Sequence, residues 1–142
     1  MKFDRESLKT GVPLIDRQHE AYFKLVDRFF ELTERGDIER ATLEIEVNKI
    51  VEYAVEHFDA EEYLMRSISY PAYEAHLAKH NVFRDNLDFF TSELKGEVQM
   101  GAFIGKLSKW LIEWFTSQIR IDDRQLAAFI NQTTKGEAPK TD

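Results

Sequence analysis

The chain has four histidines, and their spacings fit metal chemistry. His76 and His80 form an i, i+4 pair, and His57 is followed four residues later by Glu61. On a helix such positions share a face, with Cβ atoms roughly 6 Å apart. That face can present two donors to one ion, or one donor to each of two neighbouring ions. His19, after Ile15-Asp16-Arg17-Gln18, adds an imidazole from a separate segment. Imidazole combined with carboxylate suits iron, zinc or manganese. Any one of these histidines is as readily a solvated or hydrogen-bonded residue. Two i, i+4 pairs plus His19, with no histidine left over, point to metal. Glu62, beside Glu61, lacks the i+4 relation to His57 and is expected on the solvated flank.

Glycine and proline divide the elements that must carry these residues. A first amphipathic helix is expected from about Asp16 to Arg35, with Tyr22, Leu25, Val26, Phe29, Phe30 and Leu32 at helical spacing and Gly36 as its stop. A second runs from about Ile38 to Arg66 through Leu43, Ile45, Val47, Ile50, Val51, Ala54 and Phe58. Ser69-Tyr70-Pro71 breaks the chain. A third helix spans about Ala72 to Lys95 and ends at Gly96. The fourth spans about Val98 to Gln132, its opening weakened by Gly101 and Gly105. Strand signals are absent. Four long helices with short connections imply an all-α, up-down-up-down four-helix bundle. The bundle is placed at 14–133, with an extended N-terminal arm over 1–13 and a flexible C-terminal tail over 134–142.

Composition narrows the function. At 142 residues, 43% of them hydrophobic and 11 of them Phe, the chain suits one globular domain with a real core. Its net charge of -7 argues against nucleic acid, since no excess of Lys and Arg is present to neutralise phosphates. No apolar run approaches the ~20 residues of a membrane span. The charged start, Met1-Lys2-Phe3-Asp4-Arg5-Glu6, is unlike a signal peptide, which favours the cytoplasm. Without cysteine, thiolate zinc sites and iron–sulfur clusters are excluded.

Five separated blocks then carry a family resemblance. They are Gly11-Val12 through Ile15-Asp16-Arg17-Gln18-His19; His57-Phe58-Asp59-Ala60-Glu61-Glu62-Tyr63-Leu64-Met65; Tyr70-Pro71-Ala72-Tyr73-Glu74-Ala75-His76; His80-Asn81-Val82-Phe83; and Trp114-Phe115-Thr116-Ser117-Gln118-Ile119 through Asp123. In order and spacing, over about residues 8–130, the chain resembles the bacterial hemerythrins, non-haem di-iron proteins on a four-helix bundle. The resemblance implies two iron ions with an oxo or hydroxo bridge. His19 and His57 would hold one iron, His76 and His80 the other, and the carboxylates of Glu61 and Asp123 would bridge them. The charge of two ferrous ions would be largely balanced by those carboxylates and a bridging hydroxide. An oxygen pocket would be lined by Tyr22, Phe58, Trp114 and Ile119, all equally suited to bundle core. Tyr22 places a phenol where the family leads one to expect an aliphatic residue.

Two positions remain open at this level. Where the family has a third histidine for the second iron, in the pattern Trp-x-x-x-His-Ile, this chain has Gln118. Its amide oxygen can replace imidazole as a harder, weaker neutral donor, swing away, or act through water. The family pattern selects Asp123, five residues on, whereas regular helical spacing selects Asp122. A local widening of the helix would reconcile the two. The function implied is reversible binding of dioxygen for storage, delivery or sensing, with small anions such as azide as further ligands and an oxygen-consuming enzyme as a candidate partner. The competing reading is a di-iron redox enzyme, an oxidoreductase or peroxidase acting on oxygen, peroxide or nitric oxide through an additional open iron position.

Overall fold

A computed structural model describes residues 4–140, and the side chains of 4–133, as four antiparallel helical rods. Helices α1 (Pro13–Glu34), α2 (Arg40–Ser67) and α3 (Tyr73–Lys95) form the first three. The fourth is composite: α4 (Met100–Ser117), one π-helical stretch (Gln118–Asp123) and α5 (Arg124–Lys140). Connections of only a few residues force sequential rods to lie side by side, and α4 closes the ring by packing on both α1 and α3. The expected bundle is therefore the fold, and no strand occurs among the described residues.

The helix ends follow from local chemistry. α1 starts three residues before the position expected, because Pro13 presets the first helical φ and has no N–H to leave unbonded. Asp16 then turns back to accept from Thr10 N at 2.8 Å, Thr10 Oγ1 at 2.7 Å and Gly11 N at 3.2 Å. Gly36, at φ +78°, takes the left-handed conformation that ends α1. Gln99 caps α4 by accepting from Ala102 N at 2.6 Å.

Three expectations change. The arm is not extended: a turn over 5–8 folds it back, burying Leu8 in the core and placing Arg5 2.5 Å from Glu20 and 2.6 Å from Asp27. Burial of one leucine and two ion pairs on α1 hold it there. At the other end, helix continues through Lys140 where a tail was expected from 134. A lone Gly136 costs only about 1 kcal/mol and does not by itself stop a helix; 141–142 lie outside the described residues. On α2, Ile45 is 55% exposed although its spacing suggested the apolar stripe.

The core is divided. A large cluster runs from Leu43, Phe29 and Phe103 to Phe58, Phe83 and Phe115. A smaller one gathers Val12, Ile15, Met65, Tyr70, Leu126 and Ala127. The buried histidines and their carboxylates lie between the two: His19 is one turn from Ile15, Glu61 one turn from Met65, and Asp123 one short step from Leu126. Apolar layers thus seal a polar one from both ends.

Candidate metal centre

The polar layer holds His19, His57, Glu61, His76, His80, Gln118 and Asp123, each no more than 3% exposed. Seven buried polar side chains in one layer would be prohibitive unless they satisfied one another or a shared cation. Their geometry is ordered by the two carboxylates. Glu61 turns Oε1 to His76 Nε2 at 2.6 Å and to His80 Nε2 at 3.1 Å, and Oε2 to His57 Nε2 at 3.5 Å. Asp123 turns Oδ2 to His19 Nε2 at 2.7 Å and Oδ1 to His76 Nε2 at 3.0 Å. Each carboxylate therefore gives one oxygen to the His19/His57 side and the other to the His76/His80 side. Two four-residue clusters result, His19-His57-Glu61-Asp123 and Glu61-His76-His80-Asp123, with candidate donor atoms in each lying within 4.8 Å of one another.

This arrangement fits cations better than hydrogen bonds. Adjacent donors round an octahedral ion at about 2.1 Å stand about 3 Å apart, close to the separations seen. His57 Nε2 and Glu61 Oε2 are buried with no hydrogen-bond partner among the described residues, and they face each other. His76 Nε2 meets Glu61, Asp123 and the Gln118 amide nitrogen, the last at 2.9 Å, yet can carry only one proton. Gln118 also lies 3.3 Å from Asp123 Oδ1. Its side chain has not swung away, and a half-turn of the amide would present oxygen to the same point.

The π-helical stretch turns Asp123, and not Asp122, towards the layer. Bonding from i to i+5 inserts one residue into the turn, so Asp123 aligns with Gln118. Asp122 instead faces α3, where it accepts from Lys79 Nζ at 2.7 and 2.9 Å.

Outer contacts orient the rings. His57 Nδ1 donates to Gln18 Oε1 at 2.7 Å, and Tyr53 Oη donates to the Gln18 main-chain oxygen. His80 Nδ1 donates to Glu62 Oε2 at 2.8 Å. Glu62 is thus mostly buried rather than on a solvated flank: the pairing with His80 and with Arg84 Nη2, also at 2.8 Å, compensates its burial. Sequence spacing missed Gln18, because the neighbour of a histidine does not share its helix face.

Aromatic rings enclose the layer. Phe115, absent from the sequence-based pocket, stands edge-on to His19 with centroids 5.8 Å apart, 6.1 Å from His57, and stacks on Tyr22 at 3.6 Å. Its place three residues before Gln118 was the available signal. Phe58 stacks on His80 at 4.0 Å. Tyr22 is fully buried and meets the layer through Phe115, whereas Trp114 lies one ring further out, 6.0 Å from Phe58 and 4.2 Å from Phe83. Ile119 is completely buried beside Gln118.

Burial and charge pull the imidazoles apart. For His57 burial dominates and lowers its proton affinity, against the attraction of Glu61 and Asp123. For His76 burial also opposes charge, but hydrogen bonds to Asp123 and Glu61 outweigh it and push the pKa up to about 10. Asp123 is held well below the usual carboxylate range: burial raises it, but the bonds from His19 and His76 prevail. His76 thus binds its proton more tightly folded than unfolded, where its ordinary value is 6.5. In metal-free protein that contribution, on the order of a few kcal/mol, is complete below about pH 6.5 and is lost as pH rises towards 10. With metal present the sign reverses, because proton and cation compete for Nε2. Thermal melts across this window should fall for the metal-free chain, while metal affinity rises; a flat metal-free profile would contradict the charge assigned to His76.

Comparison with known proteins agrees with this geometry. The model of the hemerythrin HHE cation binding domain matches residues 10–130. A bacteriohemerythrin of Stenotrophomonas maltophilia is 29% identical over 133 residues, covering 90% of this chain and 83% of that protein. Another from Pseudomonas aeruginosa is 29% identical over 120 residues, covering 84% and 74%. A crystal structure of wild-type hemerythrin superposes with a TM-score of 0.72 at 20% identity, over 84% of this chain and 88% of that one, a likeness of fold.

Proposed function

The chain belongs to the hemerythrin family of HHE cation-binding domains, and from that premise we propose that it holds two iron ions and binds dioxygen reversibly. What supports two ions is the division of each carboxylate between the histidine pairs. In this reading His19 and His57 would hold one iron, His76 and His80 the other, with Glu61 and Asp123 shared between them. Gln118 stands where the family's third histidine is expected and, after a half-turn of its amide, would offer the second iron its oxygen. The iron pair, when bound, supplies the electrons that oxygen binding draws on.

The chain's own residues do the rest. Phe115, Phe58 and Tyr22 keep water from the layer, which slows loss of electrons to solvent-assisted side reactions. Gln18 holds His57 in the tautomer that leaves Nε2 free for metal. Relatives named bacteriohemerythrin fit this role. The test is anaerobic iron loading followed by visible spectroscopy during oxygen addition and removal. A ligand-to-iron charge-transfer band that comes and goes supports the proposal; a single irreversible oxidation refutes it.

One observation favours a second reading, redox turnover of oxygen, peroxide or nitric oxide. The Gln118 amide is a weaker donor than imidazole and more readily displaced. In that case the parent should oxidise faster in air, and bind azide at a second position, compared with Gln118→His, which restores imidazole without changing net charge. Identical autoxidation and azide binding in the two proteins would remove the ground for turnover.

A further inference from the structure

Two of the candidate ligands are backed by groups of different charge. His57 donates its outer proton to the neutral amide of Gln18 at 2.7 Å. His80 donates to the carboxylate of Glu62 at 2.8 Å, and the same Oε2 accepts from Arg84 at 2.8 Å. Little water reaches the His80–Glu62 bond: His80 is fully buried and the Glu62 side chain is 11% exposed, with Arg84 on the outside at 25%. Arg84 also lies 5.3 Å from the centroid of Phe58, whose ring stacks on His80. Charge, ring face and histidine therefore fix one another.

A carboxylate accepting from Nδ1–H draws that proton outwards and makes the opposite nitrogen a stronger donor. A neutral amide does so less. The anionic backing is found on the side where Gln118 brings its weak amide, 2.9 Å from His76. We infer that Glu62, restrained by Arg84, is a positioning residue that strengthens His80 as a metal donor and so offsets the amide of Gln118 at the same ion. The inference rests on the two-iron reading above. Glu62 reaches the ion only through His80. Arg84 sets how much of its charge His80 feels, because both donate to one oxygen.

Signs follow from this arrangement. Glu62→Gln keeps shape and an acceptor oxygen but removes the charge, so the second ion should bind about tenfold to a hundredfold more weakly. A weaker donor favours the ferrous state and raises the midpoint potential. Arg84→Gln leaves the carboxylate without its cation, strengthens the acceptor and lowers that potential. When imidazole replaces the amide in Gln118→His, less offset is needed and the effect of Glu62→Gln should shrink.

The experiment compares the unmodified protein, Glu62→Gln, Gln118→His, the double variant and Arg84→Gln. Each is loaded with iron, dialysed against a graded ferrous chelator and assayed for iron per chain and midpoint potential. The expected result is loss of one of two ions from Glu62→Gln at chelator levels the unmodified protein withstands, a smaller loss in the Gln118→His background, and opposite potential shifts for Glu62→Gln and Arg84→Gln. Equal losses in both backgrounds, or shifts of the same sign, overturn the inference while leaving two iron sites. Fewer than two ions in the unmodified protein overturn the two-iron reading and this inference with it. A fold merely weakened by substitution would move both variants the same way.

Discussion

Glu61→Ala should empty the centre. Glu61 is the carboxylate that faces His57, His76 and His80 together, so its removal costs both candidate ions a donor and a negative charge. Four buried imidazoles would then surround the cations with Asp123 alone as fixed counter-charge. Loss of affinity should exceed the about hundredfold range typical of outer partners. Protein purified with excess iron is expected to carry less than one ion per chain, against two in the parent. Tyr22→Phe, which keeps the stacking on Phe115, should load like the parent. Equal iron in the two variants would contradict the roles given to both residues.

Removal of iron should lower the melting temperature by about 10 °C or more. A ligand bound a thousandfold above its dissociation constant adds about 4 kcal/mol. For a domain of this size each kcal/mol moves the midpoint by roughly 3 °C. The metal-free chain recovers part of the loss, because His76 becomes the counter-charge of Glu61 and Asp123. It does not recover all, since His57 Nε2 and Glu61 Oε2 keep no hydrogen-bond partner among the described residues. Calorimetry of loaded and stripped protein measures the difference. Coincident melts with loading verified would mean that the layer does not depend on metal.

Much of this centre is legible in the sequence because helical spacing is rigid. Two i, i+4 relations and the apolar periodicity of each rod are enough to bring His57, Glu61, His76 and His80 inward. What spacing conveys poorly is contact between rods. Glu62 was misplaced because its partner, His80, lies on another helix, and the spacing rule sees one helix at a time. Gln18 and Phe115 escaped for related reasons: one supports a histidine of α2 from α1, and the other packs on two ligands from α4. The arm was misjudged because Leu8 and Arg5 find their partners only after the bundle has formed. Asp123 was singled out through family resemblance alone, as regular spacing favours its neighbour.

The π-helical stretch has a consequence for the whole fourth rod. Its buried positions Phe103, Leu107, Leu111, Phe115, Ile119, Asp123 and Ala127 recur every four residues. In an α-helix each such step overshoots a full turn by about 40°, so the row would drift by about 240° between its ends and carry its last members out to solvent. Taking up one additional residue between Gln118 and Asp123 sets the rotation back by about 100°. The rod therefore has two angular phases joined at the metal layer, and α5 can present Leu126 and Ala127 to the small core while α4 presents Phe103 to the large one. Deleting one residue within the stretch would turn α5 as a screw is turned, swinging its apolar row sideways while leaving its composition untouched.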